Sequence, residues 1–295
     1  MSIVQNIIDS LAIEQLEKFL FRGHPNDWPS RHVFGGHVVA QAMAAADMTV
    51  GPEQSIHSIH CYFMRPGIAG QPILYDVDPI RDGRSFATRR VRAVQNGEAI
   101  FAMTVSFHVG EEGVSHQIDM PDVPSPDALV DGQEYFGHIV RNADKKADLQ
   151  DLLPFEWRAI DPMDPEDLQP KSPVTGHWLR LREKTIDDPA LHARLLGYIS
   201  DFSFLSSILR PHALVPRSDA LKTVASIDHT MWLHTSDFRV DDWIYYKTEG
   251  YWAGQGRGLA RGALYTQEGR LIASTAQESL LRLTEENKDA LSKKS

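Results

Sequence analysis

The feature that most constrains this chain is an internal repeat. Residues 60–64, H-C-Y-F-M, match residues 229–233, H-T-M-W-L, and residues 95–100, Q-N-G-E-A-I, match residues 267–272, Q-E-G-R-L-I. The separations, 229 − 60 = 169 and 267 − 95 = 172, are nearly equal. A repeat of roughly 110 to 120 residues is far longer than a solenoid unit. The 295-residue chain is therefore predicted to hold two copies of one domain.

Each copy combines one long helix with strands that alternate or run apolar. We expect the helices at residues 34–50 and 188–209, and a further helical pattern in residues 3–21 that ends in a strand-like F-L-F run. Strands are expected at residues 55–64, 73–80, 85–94 and 99–107, and again at 155–160, 177–182, 223–234, 243–249, 258–265 and 271–283. Asp82-Gly83 and Asn96-Gly97 are expected as hairpin turns.

The predicted fold class follows from this order of elements. Neither copy alternates strand and helix as a parallel sheet requires. The fold is therefore predicted to be α+β, with two tandem hot dog domains, each a curved antiparallel sheet wrapped around a long central helix. We place the N-terminal domain at residues 1–115, a linker with a helix near residues 128–153 at 116–153, the C-terminal domain at 154–286, and a polar tail at 287–295.

The second long helix has marked ends and one apolar face. Asp188 is suited to capping, Pro189 to the first helical position, and Pro211 prevents continuation. The apolar stripe consists of Leu191, Leu195, Tyr198, Ile199, Phe202, Leu205 and Leu209.

Asp201 is the exception on this helix. It lies roughly a quarter-turn from the centre of the stripe, close enough to the core to be partly desolvated. A purely structural interpretation makes it a hydrogen-bonded or ion-paired carboxylate, with Arg194 or Arg210 as its partner.

Composition excludes several classes of protein. The net charge of −10 and the pI of about 5.7 disfavour a nucleic-acid partner. No stretch is long and apolar enough to span a bilayer, and no secretory signal is present, so a cytoplasmic protein is expected. Cys61 is the one cysteine, which rules out an internal disulfide and a cysteine-based zinc site.

Three motifs resemble functional sites without the context those sites need. His57 and His60 are three residues apart on a strand and should point to opposite faces, so no metal site is predicted. Gly254, Gly256 and Gly258 precede another strand rather than a helix, which indicates backbone crowding or a bulge and not a dinucleotide loop. No G-x-S-x-G motif marks a serine hydrolase.

A cluster of arginines covers two strands of the first copy. It is usually a solvated surface, yet it is also the best local candidate for contacting phosphates in this acidic chain. Its members are Arg81, Arg84, Arg89, Arg90 and Arg92.

Two polar positions on strands of the second copy accompany Asp201. They are Ser226 and Gln277. At the offset of 172, Gln277 corresponds to Val105, so an inward apolar position has become an amide in one copy only. The first long helix offers mainly alanines, with Asp47 near its end. One copy is therefore predicted to hold a site, while the equivalent positions of the other copy only pack in the core.

The chain as a whole resembles the acyl-CoA thioesterase II family of double hot dog enzymes. The resemblance covers nearly all of the chain and weakens only between about residues 111 and 153. It rests on the segments F-R-G, V-F-G-G-H-V-V-A-Q-A, H-S-I-H-C-Y-F-M-R-P-G, R-D-G-R-S-F-A-T-R-R-V, Q-N-G-E-A-I-F, L-G-Y-I-S-D, S-I-D-H-T-M-W and S-T-A-Q-E, in that order.

This resemblance implies a site and a reaction. The catalytic Asp, Ser or Thr, and Gln of the family fall on Asp201, Ser226 and Gln277, and Ser226 stands where bacterial members commonly have Thr. The implied reaction is hydrolysis of medium- to long-chain fatty acyl-CoA by an activated water, with Asp201 as the base, and no cofactor. Backbone N–H groups would meet the oxyanion, and the acyl chain would lie between helix and sheet. The implied assembly is a homo-oligomer, a dimer or tetramer of double hot dog chains, with no membrane partner.

Two other functions stay open at this point. An enoyl-thioester hydratase would need an Asp and His pair, and Asp228 and His229 supply one, although adjacent strand residues face opposite sides. A non-catalytic acyl-CoA or fatty-acid binding protein would leave three converging polar groups unexplained, because unpaired buried polar atoms destabilise a fold.

Overall fold

The structure is a computed structural model that describes residues 2–24, 31–132, 154–164, 167–202, 204–216 and 218–287. Its α-helices in these ranges are α1 (Ile3–Leu11), α2 (Gly35–Asp47), α3 (Pro189–Ser200) and α4 (Phe204–Leu209). Short 3-10 turns lie at Pro126–Ala128 and Arg210–His212. The linker helix predicted near residues 128–153 falls almost entirely outside the described residues.

The strands of both halves form one antiparallel sheet. They are β1 (Ile13–Glu17), β2 (Leu20–Gly23), β3 (Ser55–Phe63), β4 (Ile73–Asp82), β5 (Phe86–Gln95), β6 (Glu98–His108), β7 (Phe155–Ala159), β8 (Val174–Leu181), β9 (Leu221–Ser226), β10 (Asp228–Leu233), β11 (Ile244–Gly254), β12 (Arg257–Thr266) and β13 (Leu271–Leu283). The order across the sheet is β1-β2-β4-β5-β6-β3-β10-β13-β12-β11-β8-β7, with β9 beside β13. The α+β prediction is confirmed.

The sheet order confirms the duplication. From the central β3–β10 pair outwards, each half has the same succession of six strands, and the two half-sheets meet as mirror-ordered copies. The hairpin turn expected at Asn96-Gly97 joins β5 and β6, and these residues take the positive φ values of 50° and 80° that such a tight turn requires. The turn after β4 begins one residue later than expected, since Asp82 is still in the strand and pairs with Ala87.

The pairing of β3 with β10 shifts the repeat alignment by one residue. His60 lies opposite Thr104 of β6, and Thr230 lies opposite Ala276 of β13. Since 276 − 104 = 172 is the offset of the second letter match, His60 and Thr230, which also face each other, are counterparts at an offset of 230 − 60 = 170. The letter match at 169 is wrong, because it equates exposed His60 with buried His229. At an offset of 170 buried Ile59 is the counterpart of buried His229, as the shared inward face requires.

The two long helices, α2 and α3, pack directly on each other inside the sheet. Small residues permit the contact: a Cβ on Gly197 would lie 2.5 Å from the Sδ of Met43, and one on Gly36 would clash with the carbonyl oxygen of Tyr198. The alanines of α2 are buried on all sides, and a single hydrophobic core runs through both halves. This packing brings the end of α3 to the beginning of α2.

The second long helix is shorter than predicted. Asp188 caps α3 through a bond from the backbone N–H of Ala190, 3.0 Å, and Pro189 occupies the first turn as expected. The helix ends at Ser200, however, and Asp201 is its C-cap residue before α4 begins at Phe204. The prediction of one helix over residues 188–209 is therefore wrong, since the chain leaves the helix at Asp201.

The glycines near the β11–β12 turn serve packing, as predicted. Gly256 lies in the turn with φ 73°. Gly258 faces α4, where a side chain would clash with Ile208. The small residue lets α4 lie flat on the sheet, which accounts for the glycine-rich sequence without a nucleotide.

Candidate active site

Asp201 lies where α3 ends and α2 begins. The backbone N–H of Gly36 donates to its carboxyl group, and a Cβ built on Gly35 would be 2.6 Å from its Oδ2. Close approach to the carboxyl therefore requires glycine at position 35. The N-cap residue of α2, Phe34, makes no capping bond with its side chain, so the positive end of this helix is left for the Asp201 carboxylate.

Asp201 is hydrogen-bonded, but the expected ion pair with Arg194 or Arg210 is wrong. Arg194 pairs with Asp188 at 3.5 Å, and Arg210 pairs with Asp161. Neither arginine neutralises Asp201, whose partners are hydrogen-bond donors instead.

The structure brings Ser226 and Gln277 together with Asp201. Ser226 Oγ donates to Asp201 Oδ1 over 3.3 Å, and Gln277 Nε2 donates to Ser226 Oγ over 2.8 Å. Ser226 ends β9, whereas Gln277 lies in the middle of β13 with 1% of its surface exposed. All three residues proposed from the sequence thus form one connected polar group.

A break in the predicted strand over residues 223–234 positions Ser226. The chain forms two strands, β9 and β10, which pair with successive stretches of the long β13. At the break, Ile227 N donates to Glu278 O at 2.9 Å, and Asp228 Oδ1 accepts from Glu278 N at 2.7 Å. The Asp228 side chain therefore replaces a backbone acceptor, and the prediction of one continuous strand is wrong here.

Burial controls the protonation of Asp201. Desolvation raises its pKa from the ordinary value of 3.8 to about 7, against the opposing effect of the donors Ser226, Gln277 and Gly36. Asp201 as a whole residue is partly exposed, although its carboxyl group is desolvated. A carboxylate with a pKa near neutrality is suited to accept a proton under ordinary conditions.

Sequence comparisons show the family to which this chain belongs. The profile of an acyl-CoA thioesterase N-terminal domain matches residues 24–108, and that of an acyl-CoA thioesterase C-terminal domain matches residues 120–281. The chain belongs to the acyl-CoA thioesterase family. It is accordingly a thioester hydrolase that acts on acyl-CoA.

Individual relatives agree with the family match. The chain is 36% identical to human acyl-coenzyme A thioesterase 8 over 92% of this chain and 88% of the relative. It is also 36% identical to acyl-CoA thioesterase 2 of Haemophilus influenzae, over 96% of this chain and 99% of that protein.

Solved structures share the fold of this thioesterase. The crystal structure of an acyl-CoA thioesterase II, TesB2, from Mycobacterium marinum has a TM-score of 0.79 and 37% identity, and the match covers 96% of this chain and 99% of that one. A protein from Alicyclobacillus acidocaldarius described as having a hot dog fold aligns with a TM-score of 0.75 at 19% identity. The prediction of a double hot dog fold is confirmed.

One neighbour of the site in this thioesterase is absent from the residues proposed from the sequence. His229, 0% exposed, bonds through Nδ1 to Gln277 Oε1 at 2.8 Å and through Nε2 to Ser200 Oγ at 2.9 Å. Burial lowers its pKa to about 4, so the ring is neutral. The correct repeat offset of 170 would have revealed it, because apolar Ile59 is its counterpart.

In this thioesterase, Asp228 and His229 do not form the acid–base pair that a hydratase needs. Asp228 accepts from the backbone of Glu278, while both ring nitrogens of His229 are engaged by Gln277 and Ser200. The two adjacent residues therefore do not form an acid–base pair.

The first half shows why it lacks an equivalent site. At an offset of 201 − 47 = 154, Asp47 at the end of α2 is the counterpart of Asp201 and faces the beginning of α3. There Asp188 already caps the helix, and Pro189 has no N–H to offer. Asp47 is also close to the Asp188 carboxylate and to Arg194, both of which act on its charge.

Three of the five clustered arginines of the thioesterase are paired. Arg90 pairs with Asp78 and Arg92 with Asp76 across β4 and β5, while buried Arg89 binds Thr49 and Asp82. Among the described residues no group of three His, Cys, Asp or Glu side chains is placed to hold a metal. Within the same ranges, no helix is long and apolar enough to cross a membrane.

Proposed function

We propose that this chain hydrolyses medium- to long-chain fatty acyl-CoA to fatty acid and CoA by attack of a water that Asp201 activates. The observation that carries the proposal is the buried Asp201 carboxyl, whose pKa is raised to about 7 and whose partners are all donors. Donors oriented toward the carboxylate keep it ionised, and its raised pKa makes it a better base than an exposed aspartate.

The two carboxyl oxygens have different surroundings. Oδ1 accepts from the Ser226 hydroxyl, whereas Oδ2 lies beside Gly35 at the beginning of α2. We assign Oδ2 as the atom that takes the proton of the attacking water. The water oxygen bonds to the thioester carbonyl carbon, the C–S bond breaks in the resulting tetrahedral intermediate, and the CoA sulfur leaves as a thiolate that accepts a proton. Ser226 and Gln277 orient the water and the carboxylate.

The first turn of α2 supports the developing negative charge. Phe34 provides no side-chain cap, and the Gly36 N–H and the positive end of the helix dipole face the carboxylate. The positive end of α2 would also stabilise a tetrahedral oxyanion formed beside Asp201, so this role would fall to the N-terminal half while the base comes from the C-terminal half.

Aromatic side chains around the site favour an acyl substrate. Phe34, Phe63 and Phe202 are partly buried and pack against the core. Phe34 contacts Tyr198 edge-on with ring centroids 5.0 Å apart, and Phe202 contacts Phe155 at 5.1 Å. An apolar rim beside the carboxylate suits a chain of several methylenes, each worth about 0.8 kcal/mol when buried. Comparison of kcat/KM for acetyl-, hexanoyl-, decanoyl- and palmitoyl-CoA tests the preference, and acetyl-CoA as the best substrate would contradict it.

The decisive experiment measures thiol release from palmitoyl-CoA with a colour reagent. The wild-type chain should release CoA, and Asp201→Asn should release at least about 100-fold less, since the amide cannot take a proton. Asp47→Asn is the matched control, because it makes the same change at the end of the other long helix and should retain activity. Full activity in Asp201→Asn, or equal losses in both variants, would refute the assignment.

Association and location extend the proposal. The outer surface of the central strands exposes Tyr62 by 61% and Trp232 by 39%, and Trp232 contacts His60 with centroids 5.3 Å apart. An exposed aromatic surface favours a homo-oligomer, a dimer or tetramer. The cytoplasmic location expected from the sequence remains part of the proposal. Analytical ultracentrifugation should give a mass at least twice 33.2 kDa; a monomer at micromolar concentration would contradict this.

A further inference from the structure

His229 occupies the centre of a continuous hydrogen-bond chain that ends at Asp201. The chain runs from Ser200 to His229 at 2.9 Å, from His229 to Gln277 at 2.8 Å, from Gln277 to Ser226 at 2.8 Å and from Ser226 to Asp201 at 3.3 Å. Ser200, His229 and Gln277 are at most 1% exposed. These three side chains are therefore shielded from solvent and bond to other protein groups.

The direction of every bond follows from the charge of Asp201. A carboxylate only accepts, so the Ser226 hydroxyl must donate to it, and Ser226 Oγ must then accept from the Gln277 amide N–H. The Gln277 oxygen is thereby turned to His229 and needs a donor, which fixes the proton of the neutral ring on Nδ1. The Ser200 hydroxyl lies 2.9 Å from both Gly197 O and His229 Nε2, and in this state its one proton goes to the Nε2 lone pair instead of the Gly197 carbonyl.

The opposite direction requires a different state of the site. If the His229 proton were on Nε2, Nδ1 could only accept, and the Gln277 amide would turn its N–H groups to the ring and its oxygen to Ser226. Ser226 would then donate to Gln277 instead of Asp201. The carboxyl would keep the Gly36 N–H but lose the Ser226 donor that helps to keep it ionised, so a smaller fraction of Asp201 would be ionised near pH 7.

Comparison of the two halves of the protein independently supports a dedicated role for this hydrogen-bond chain. Its three buried members replace apolar residues of the first half: Ser200 replaces Ala46, His229 replaces Ile59 and Gln277 replaces Val105, at offsets of 200 − 46 = 154, 229 − 59 = 170 and 277 − 105 = 172. All three apolar counterparts are 0% exposed. Ile59 and Val105 lie opposite each other in β3 and β6, and His229 and Gln277, each next to a member of the Thr230–Ala276 pair of β10 and β13, contact each other through their side chains.

We propose that His229 is a positioning residue for thioester hydrolysis, which holds the Gln277 amide with its N–H groups toward Ser226 and so keeps the Ser226 hydroxyl donating to Asp201. The inference rests on the proposed function of Asp201, Ser226 and Gln277. His229 does not touch the substrate; it acts through Gln277. With Oδ1 occupied by Ser226, the proton from water is directed to Oδ2.

The tautomer of His229 tests the inference without any substitution. Nitrogen NMR of the wild-type chain labelled with ¹⁵N-histidine distinguishes a protonated from an unprotonated ring nitrogen, and His229→Asn identifies the signal by its loss. We expect a neutral ring with the proton on Nδ1 at pH 7 to 8. A proton on Nε2 would overturn the proposal, whatever the activity of the enzyme, so its failure is distinct from failure of the thioesterase assignment.

Two amide substitutions provide the kinetic test. His229→Asn places an N–H donor near the position of Nδ1 and keeps the bond to Gln277, whereas His229→Gln reaches the position of Nε2 and contacts Ser200 instead. We expect kcat within about threefold of wild type for His229→Asn and a loss of about 10- to 100-fold for His229→Gln, with KM little changed in both. Equal kcat values for the two variants, or an effect confined to KM, would refute a positioning role.

The Gln277→Ala background shows whether His229 acts through Gln277. In that background His229→Gln should lower kcat no further, because the group it positions is absent. A full additional loss would show that His229 acts independently and would overturn the proposal. Melting temperatures of all variants are recorded beside kcat, and if His229→Gln does not fold, the tautomer measurement alone decides.

Discussion

Replacing Asp201 with asparagine should change how the stability of this enzyme depends on pH. Burial places the Asp201 pKa at about 7 in the folded chain, against an ordinary value of 3.8. Because the folded-state pKa is raised, the stability that this group contributes is fully present below about pH 4 and is lost as the pH rises through about 7. The difference, 7 − 3.8, is about 3 pH units and corresponds to about 4 kcal/mol.

Asparagine cannot ionise, so this loss should be absent from Asp201→Asn. The asparagine amide also places an N–H group among side chains and backbone that are themselves hydrogen-bond donors. This mismatch costs about 1–3 kcal/mol, but the cost does not vary with pH. Urea denaturation of both proteins at pH 5 and pH 8 isolates the pH-dependent part. The wild type should lose about 2–3 kcal/mol more than the variant between these conditions, since part of the full effect lies below pH 5. Parallel pH dependence of the two proteins would refute the buried, desolvated carboxylate on which the mechanism depends.

Four further outcomes are expected. For the wild type, kcat/KM should fall about tenfold for each pH unit below pH 7, because Asp201 must be ionised to act. A decrease of kcat/KM that began only near pH 4 would contradict this. Gln277→Ala should lower kcat strongly with little change in KM, and an effect on KM alone would make Gln277 a binding residue. Ser226→Thr should retain kcat while Ser226→Ala loses about 10- to 1,000-fold, and inactivity of both would deny a role to the hydroxyl itself. Gly36→Ala should destabilise the chain by about 1–3 kcal/mol, because its Cβ clashes with the Tyr198 backbone, whereas Gly113→Ala meets nothing; equal denaturation midpoints would contradict that contact.

The sequence predicted the parts of this fold that depend on pattern and local turn chemistry. Alternation located most of the strands, but not β1, which lies in the stretch predicted as helical. Asp188 and Pro189 marked the beginning of α3, and Asn96-Gly97 marked a hairpin that has the required positive φ values. Repetition then predicted two domains of one kind, because two letter matches at nearly the same offset indicate duplication of one module.

The breaks that build the site depend on tertiary contacts and were not predictable from pattern. The apolar stripe continues past Asp201, yet α3 ends there, and the carboxyl accepts from Gly36 of the other half. The strand pattern continues through Ile227, yet the chain divides because the longer β13 pairs with both parts. Sequence periodicity cannot reveal either interruption, because the groups that α3 and the β9–β10 segment contact at these points lie far away in the sequence.

His229 shows how a one-residue alignment error conceals a functional group. The letters favoured matching His60 with His229, and only the strand register shows that buried Ile59 is the true counterpart. When the alignment of a β-strand is shifted by one residue, every side chain is assigned to the other face of the sheet. Aligning the inward positions of the two copies, rather than their identical letters, places His229 on the same face as Gln277.

The central claim is that Asp201 acts as a base on water and forms no bond to the acyl group. A single turnover of palmitoyl-CoA by excess enzyme in ¹⁸O-water tests this directly, with mass analysis of both the fatty acid and the protein. Water activated by Asp201 must place one ¹⁸O atom in the palmitate and none in the enzyme, and quenched samples must lack an acyl adduct. Unlabelled palmitate with ¹⁸O on Asp201, or an acyl group on Ser226, would contradict the mechanism.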